Sequence, residues 1–274
     1  MKNIDDFRIH GICVVKNEAD IIEYCLQEAV KWADFIYILD NGSTDGTWEK
    51  VLALKSESII PWKQDDKPFQ FIRAEVFNEF RDRAKPGDWW CRLDADEFYI
   101  DHPPTFLKSV PNHCHVVWGL PIEYYLTTQD IDQIDFSVPT SELLPQIRYY
   151  RAENSEERFI RHRQNLKWPD YAPWPKHMGV VYKQRIKYKH YKYRSPEQIQ
   201  KRFDTRRAAR EIGYTGFKHA TKQNWHEAIS DPKYFNFDHN DGSYKIDWER
   251  LPRNVETLPK RCAKLLFHGL GIWP

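Results

Sequence analysis

The sequence predicts an α/β fold built on a mainly parallel sheet, and three observations carry that expectation. Short apolar runs alternate with amphipathic stretches from residue 9 to residue 100. Three of those runs end in a polar cluster. The chain also has enough apolar material for a substantial core, with 274 residues of which 41% are hydrophobic and 15% aromatic. Strands alternating with helices imply βαβ units and right-handed crossovers.

Taken in order, Ile9 to Val15 reads as a buried strand. Asn17 is placed to cap the next helix, with Asp20 as its reciprocal partner and Ile21, Ile22, Cys25, Leu26, Ala29 and Val30 as the apolar face. Phe35 to Leu39 reads as the second strand, Asn41 to Gly46 as a turn and Thr47 to Leu54 as the second helix. Phe69 to Arg73, the helical stretch Ala74 to Ala84 and the run Trp89 to Leu93 repeat the cycle. Val116 to Ile122 looks like a further buried strand, whereas Thr127 to Pro145 mixes helix and loop signals. Residues 146 to 193 are rich in Arg, Tyr, Trp, Pro and His without a long periodic segment. Ser195 to Ile212 reads as a basic helix with Ser195 as cap and Pro196 at its first position. No internal repeat or linker interrupts the chain, which predicts one compact domain.

Composition narrows the class. The start lacks the apolar stretch of a secretory signal, and no window approaches the ~20 apolar residues of a membrane span, so a soluble cytoplasmic protein is expected. Cys13, Cys25, Cys91, Cys114 and Cys262 show no C-x-x-C spacing, and neither disulfides nor zinc are expected. Residues 1 to 140 carry 14 Lys and Arg against 25 Asp and Glu, and the remainder 27 against 15. The second half is therefore expected to meet something anionic.

The most informative segment is Asp94-Ala95-Asp96-Glu97, directly after the run Trp89 to Leu93. Residues i and i+2 of an extended chain point the same way, so two carboxylates can reach one ion where the strand ends. Mg²⁺ and Mn²⁺ prefer such hard oxygen ligands and complete their shells with water and phosphates. An isolated D-x-D is ordinarily a solvated acidic turn. Here it is the third polar strand end, after Lys16-Asn17-Glu18 and Asp40-Asn41-Gly42-Ser43, and open parallel sheets bind ligands beyond these ends.

Leu39-Asp40-Asn41-Gly42-Ser43-Thr44-Asp45-Gly46-Thr47 resembles the strand-end signature of family 2 glycosyltransferases, with Asp40-Asn41 where that signature usually has two aspartates. Val15-Lys16-Asn17-Glu18 resembles the family's first strand end, Phe77-Asn78-Glu79-Phe80-Arg81 its arginine-bearing helix, and Leu93-Asp94-Ala95-Asp96-Glu97 its metal motif. The resemblance covers residues 9 to 100 and implies a GT-A fold: residues 1–115 as the nucleotide-sugar-binding half, and 116–274 as an irregular, basic acceptor-binding half with a C-terminal helical extension. It implies that Asp40 recognises the nucleoside, with Lys16, Glu18 and Arg81 also at the nucleotide. It further implies that Asp96 binds Mn²⁺ or Mg²⁺ directly, and that Asp94 contacts ribose, the ion or its water. Glu97 would orient the loop or approach the sugar. Asp45 fits turn closure and helix capping better than nucleoside recognition. His190, in Lys189-His190-Tyr191-Lys192-Tyr193-Arg194-Ser195, resembles the family's C-terminal metal histidine, and His177 resembles a W-x-x-x-H histidine lining the acceptor or diphosphate pocket.

The implied activity is inverting transfer of a sugar from a nucleotide-diphosphate donor to a glycan or lipid-linked acceptor. It needs a carboxylate base, yet the E-D pair that often supplies one is absent from the second half, which leaves Asp170 and Glu123 as candidates. Neither the processive Q-x-x-R-W signature nor membrane helices occur, which favours single addition. The Lys and Arg clusters of residues 158 to 210, interleaved with Tyr and Trp, suit a diphosphate, an acidic glycan, whose sugar faces would meet the rings, or anionic lipid headgroups, although a charge run is commonly a solvated face. Two other readings compete: a nucleotidyltransferase, for which the usual Gly-rich N-terminal loop is missing, and a nucleic-acid-binding module, which leaves the acidic strand ends unexplained. No nucleic-acid partner is expected.

Overall fold

The computed structural model describes residues 7–67, 72–170, 172–211 and 221–274. In chain order its elements are β1 (Ile9–Val15), α1 (Ile22–Ala29), β2 (Phe35–Asp40), α2 (Thr47–Ala53), β3 (Ile59–Gln64), α3 (Ile72–Phe80), β4 (Trp89–Leu93), β5 (Glu97–Tyr99) and α4 (Pro103–Lys108). They continue with β6 (Val116–Tyr125), α5 (Thr128–Gln133), α6 (Thr140–Leu143), β7 (Tyr149–Arg151), β8 (Glu156–Arg161), β9 (Val181–His190), α7 (Pro196–Glu211), β10 (Asn236–Phe237) and α8 (Leu258–Gly269). The fold is mixed α/β, with sheet strands flanked by helices. The described residues divide into two compact units: one holds those up to Leu120, Ser155–Tyr188 and Pro252–Pro274, the other Pro121–Asn154 and Lys189–Leu251.

In the first unit, β1 pairs in parallel with both β2 and β4, and β2 pairs in parallel with β3. Strand β8 then runs antiparallel to β4 and to the Val116–Gly119 part of β6. All seven residues of β1 are buried, as expected for a central parallel strand covered on both faces. One face packs Ile12, Val14, Tyr37, Leu39 and Trp90 against Val76, Phe77 and Phe80 of α3. The Tyr37 and Phe80 rings stack at 4.1 Å. In the second unit, β7 pairs antiparallel with Glu123–Tyr125 of β6 and with β10.

Several elements differ from the sequence expectation, each for a local reason. Asn17 does not cap α1; it sits at φ 55°, and its side chain accepts from the Thr44 N–H instead. Helix α1 starts at Ile22, with Ile21 at the N-cap position making no side-chain cap bond, and it is held by burial of Ile22, Cys25, Leu26 and Ala29. The third strand is Ile59–Gln64 rather than Phe69–Arg73: residues 69–71 lie outside the described set, while Ile72 and Arg73 open α3. Pro61 hides β3 in the sequence, but an edge strand tolerates proline because one side of its ladder is unpaired. The stretch 146 to 193 contains three strands, whose regular alternation is obscured by buried cations such as Arg158. Helix α7 begins at Pro196 as expected, with the Ser195 hydroxyl accepting from the Gln198 N–H. All five cysteines are thiols, four of them buried, and no described helix is long and apolar enough to cross a membrane.

The core contains a pH-sensitive pair. The Trp90 indole N–H donates to Nδ1 of buried His162 at 3.1 Å, which requires that nitrogen unprotonated. Burial, and then the nearby charge of Arg81, lowers the His162 pKa from 6.5 to about 4. Because the folded value lies below the unfolded one, this contribution is fully present above pH 6.5 and is lost as pH falls toward 4, at ~1.4 kcal/mol per pH unit. The melting temperature should therefore drop between pH 7 and pH 5, and His162→Gln should flatten that drop; an equally steep slope in the variant would reject the assignment.

Candidate functional site

Because β2, β1 and β4 are adjacent and parallel, their carboxyl ends share one edge of the sheet. Val15 lies opposite Asp40, and Cys13 opposite Leu93. Lys16-Asn17-Glu18, Asp40-Asn41 and Asp94-Ala95-Asp96 consequently leave the sheet side by side, at the edge where parallel sheets bind ligands.

The first two ends are laced together. Lys16 Nζ donates to the Asn41 carbonyl at 2.7 Å, the Asn17 N–H to Ser43 Oγ at 2.8 Å, and the Glu18 N–H to Thr47 Oγ1 at 2.9 Å. Asp45 accepts from the Thr47 N–H at 3.1 Å and the Ala19 N–H at 3.2 Å, the turn-closing role its position suggested. Asn41 ties in the segment after β3, donating from Nδ2 to the Asp65 carbonyl at 2.8 Å and the Lys67 carbonyl at 2.7 Å. An aspartate side chain has no N–H and could make neither bond. Asp40 is buried; its Oδ1 accepts from the Ser43 N–H and the Gln64 amide. Its Oδ2 is buried without a hydrogen-bond partner among the described residues.

At the third end, guanidinium groups surround Asp94. Arg73 reaches Oδ1 at 2.5 Å, and Arg92 and Arg158 reach Oδ2 at 3.3 Å each. Arg158 is buried and also pairs with Glu97 and Glu156, takes the Tyr188 hydroxyl as acceptor at 2.9 Å and lies over that ring. Burial alone would lower its pKa, but the charges of Glu97, Tyr188, Glu156 and Asp94 hold it well above the usual value. Gly119 makes room, since a Cβ there would come within 2.6 Å of both the Arg158 and Tyr188 side chains. The same guanidiniums also serve Glu97 and Glu156, so cations and carboxylates alternate around Asp94. Asp96 and Glu97 are buried carboxylates at the same strand end, oxygen donors of the kind that suit Mn²⁺ or Mg²⁺. Burial pushes the nearby Cys91 thiol up to about 12 and raises Cys13 and Cys25 too, so none of these is a thiolate at neutral pH.

Of the other expected residues, Arg81, Asp170 and His177 belong to the first unit and Glu123 and His190 to the second. A helix following a parallel strand returns along the sheet, so the first turn of α3 lies at the strand-end edge and its last turn at the opposite edge. The arginine of α3 that meets the acidic cluster is accordingly Arg73; Arg81 follows the helix end, 5.7 Å from the Phe77 ring. His177 stacks on Trp273 at 4.3 Å, and Asp170 accepts from Asn78 of α3 at 3.0 Å. In the second unit, Glu123 faces Lys192 at 3.4 Å and His190 at 3.7 Å, and accepts from Asn154 at 3.0 Å. Burial opposes its ionisation, but these partners prevail and hold its pKa near about 2; a carboxylate that acidic accepts a proton poorly at neutral pH.

Sequence reasoning passed over Asn41, Arg73 and Arg158. Arg158 is the buried member of a basic run in which half-buried Arg161 lies over Trp89 and half-buried Arg163 donates to the carbonyls of His177 and Met178. Nothing in the run itself separates such residues from solvated cations.

No described protein family and no curated protein matches this chain. Among solved structures it is similar to a mannosyltransferase of Pyrobaculum calidifontis in complex with GDP-Man and Mn²⁺, at 16% identity and TM-score 0.32, over 45% of this chain and 37% of that one. It is similar also to residues 1–349 of S. aureus TarS (13%, TM-score 0.38, over 75% and 65%). A third is glucosyl-3-phosphoglycerate synthase from Mycobacterium tuberculosis in complex with Mn²⁺, UDP and phosphoglyceric acid (16%, TM-score 0.31, over 57% and 56%). The match spans less than two thirds of the length of each.

Asn41→Asp should cost about 2–3 kcal/mol, since two buried N–H···O bonds are replaced by a carboxylate facing two carbonyl oxygens. Urea unfolding would register it as a lower midpoint, and a midpoint matching the parent would refute the role given to the amide.

Proposed function

We propose that this chain is a metal-dependent glycosyltransferase that moves a sugar from a nucleotide-sugar donor to a glycan or lipid-linked acceptor, with inversion and a single addition. The observation that carries this reading is the convergence of Asp40, Lys16 and the Asp94-Ala95-Asp96 segment on one carboxyl edge of three adjacent parallel strands. In the proposed roles, Asp40 offers Oδ2 to a nucleoside N–H or hydroxyl, and Lys16 and Glu18 flank the nucleotide. Asp94 holds Arg73 and Arg92 in place. Asp96 and His190, a carboxylate and an imidazole, are the proposed holders of Mn²⁺ or Mg²⁺, which when bound supplies Lewis-acid stabilisation of the departing diphosphate. Asp94, whose carboxylate has lone pairs beyond those the guanidiniums use, keeps its proposed contact with ribose, the ion or its water.

Calorimetry with UDP, GDP and dTDP in the presence of Mn²⁺ tests the reading. One of the three should bind in a metal-dependent manner, and Asp96→Asn should weaken that binding at least ~10-fold, the ~1.4 kcal/mol of a single ligand contact; unchanged affinity in the variant would sink the assignment.

The acceptor proton needs a carboxylate, and Asp170 and Glu123 are the candidates. Steady-state turnover separates them: the variant of the true base, Asp170→Asn or Glu123→Gln, should lose about 10²–10⁴ in kcat with donor binding retained. Full turnover in both would show that the base lies elsewhere.

A further inference from the structure

Helix α8 is held to the first unit by polar and aromatic contacts, and none of its residues is fully buried. Arg261 donates to the Val181 carbonyl at 2.8 Å, and Lys264 donates to the Gly179 carbonyl at 2.6 Å and pairs with Glu256 at 2.5 Å. The rest of the seat is a row of rings. His115, just before β6, lies 4.9 Å from His268, His268 lies 5.7 Å from Trp273, and Trp273 stacks on His177 at 4.3 Å.

Hydrogen bonding fixes the protonation of the two central imidazoles. His115 Nδ1 accepts from the Val180 N–H at 3.3 Å, so that nitrogen carries no proton. The Gly179 backbone packs so closely that a Cβ there would come within 2.3 Å of the same atom. His268 Nδ1 donates to the Pro274 carbonyl at 2.5 Å, and its Nε2 is buried without a hydrogen-bond partner among the described residues. A proton added to His115 would point at another N–H, and one added to His268 would meet no acceptor. The surrounding charges add to the cost. Arg161 at the end of β8, Arg163 after it and His113 bear on His115; Arg163, Lys264 and His177 bear on His268. The carboxylates on this side act elsewhere: Glu256 pairs with Lys264 and Arg261, and Glu157 of β8 faces Lys264. Burial, and then Arg163, brings the His115 pKa from 6.5 down to about 3. Burial also lowers that of His268, against the pull of the Pro274 carbonyl.

We propose that His115 and His268 form a pH-sensitive latch, which seats α8 while both imidazoles are neutral and releases the helix together with Trp273 on acidification. Because the seated values lie below that of a free imidazole, the latch contributes fully above about pH 6.5 and is lost as pH falls. Opening needs no global unfolding, since few contacts hold the helix and no buried side chain of its own has to be exposed. Release also uncovers the ring of His177. The inference is independent of the transferase reading.

Hydrogen exchange on the full chain at pH 7.5 and pH 5.5, with rates corrected for the intrinsic effect of pH, tests the latch. Amides of α8 should open at lower cost than those of β1, and His115 alone should raise their opening equilibrium ~10-fold across that interval. His115→Asn keeps an acceptor for the Val180 N–H and His268→Asn a donor for the Pro274 carbonyl, while neither titrates. The double variant should therefore lose the fall in α8 protection, and His268→Asn alone should retain the ~10-fold share of His115. Protection of α8 equal to that of β1 at both pH values, or an undiminished fall in the double variant, would overturn the proposal.

Discussion

The buried guanidinium of Arg158 is the interaction on which the acidic strand end depends. Asp94, Glu97 and Glu156 approach one another closely at the end of β4 and the start of β8, and Glu97 is buried. Such carboxylates would repel one another or take up protons without a compensating charge. Arg158 supplies that charge from inside the unit, with Tyr188 as hydroxyl acceptor and ring platform. Its seat exists because Gly119 of β6 has no side chain to fill it. A residue on a late strand thereby supplies the countercharge for carboxylates at the end of β4, the start of β5 and the start of β8.

The same division of labour separates the two aspartates of the D-x-D. Asp94 pairs with three guanidiniums, whereas Asp96 is a buried carboxylate. At the neighbouring ends, polar side chains mostly satisfy backbone groups. Asn17, Asn41, Ser43, Asp45 and Thr47 join three loops that would otherwise carry unpaired N–H and carbonyl groups. Ser43 and Gln64 hold Asp40 through its first oxygen and leave the second unused among the described residues.

Periodicity and strand-end chemistry made much of this legible. The apolar runs at Ile9, Phe35 and Trp89 are strands because continuous burial leaves one reading for such runs between turn signals. The three polar ends share an edge because parallel strands put all their carboxyl ends on one side. Less legible were features whose signal is distributed: β3 with its proline, the strands between residues 149 and 190 with their buried cations, and the pairing of Arg73 with Asp94, which depends on where α3 begins.

The sequence by itself determined the α/β class, the parallel core and the clustering of Lys16, Asp40, Asp94 and Asp96, since these follow from local pattern and the direction of the chain. Only the tertiary structure decided which charges face one another. Arg158 lies 64 residues from Asp94 and 61 from Glu97, and Arg261 of α8 lies 80 residues from Val181. Ion pairing is set by distance in space and by the dielectric of the site, and neither quantity is written in the spacing of residues along the chain.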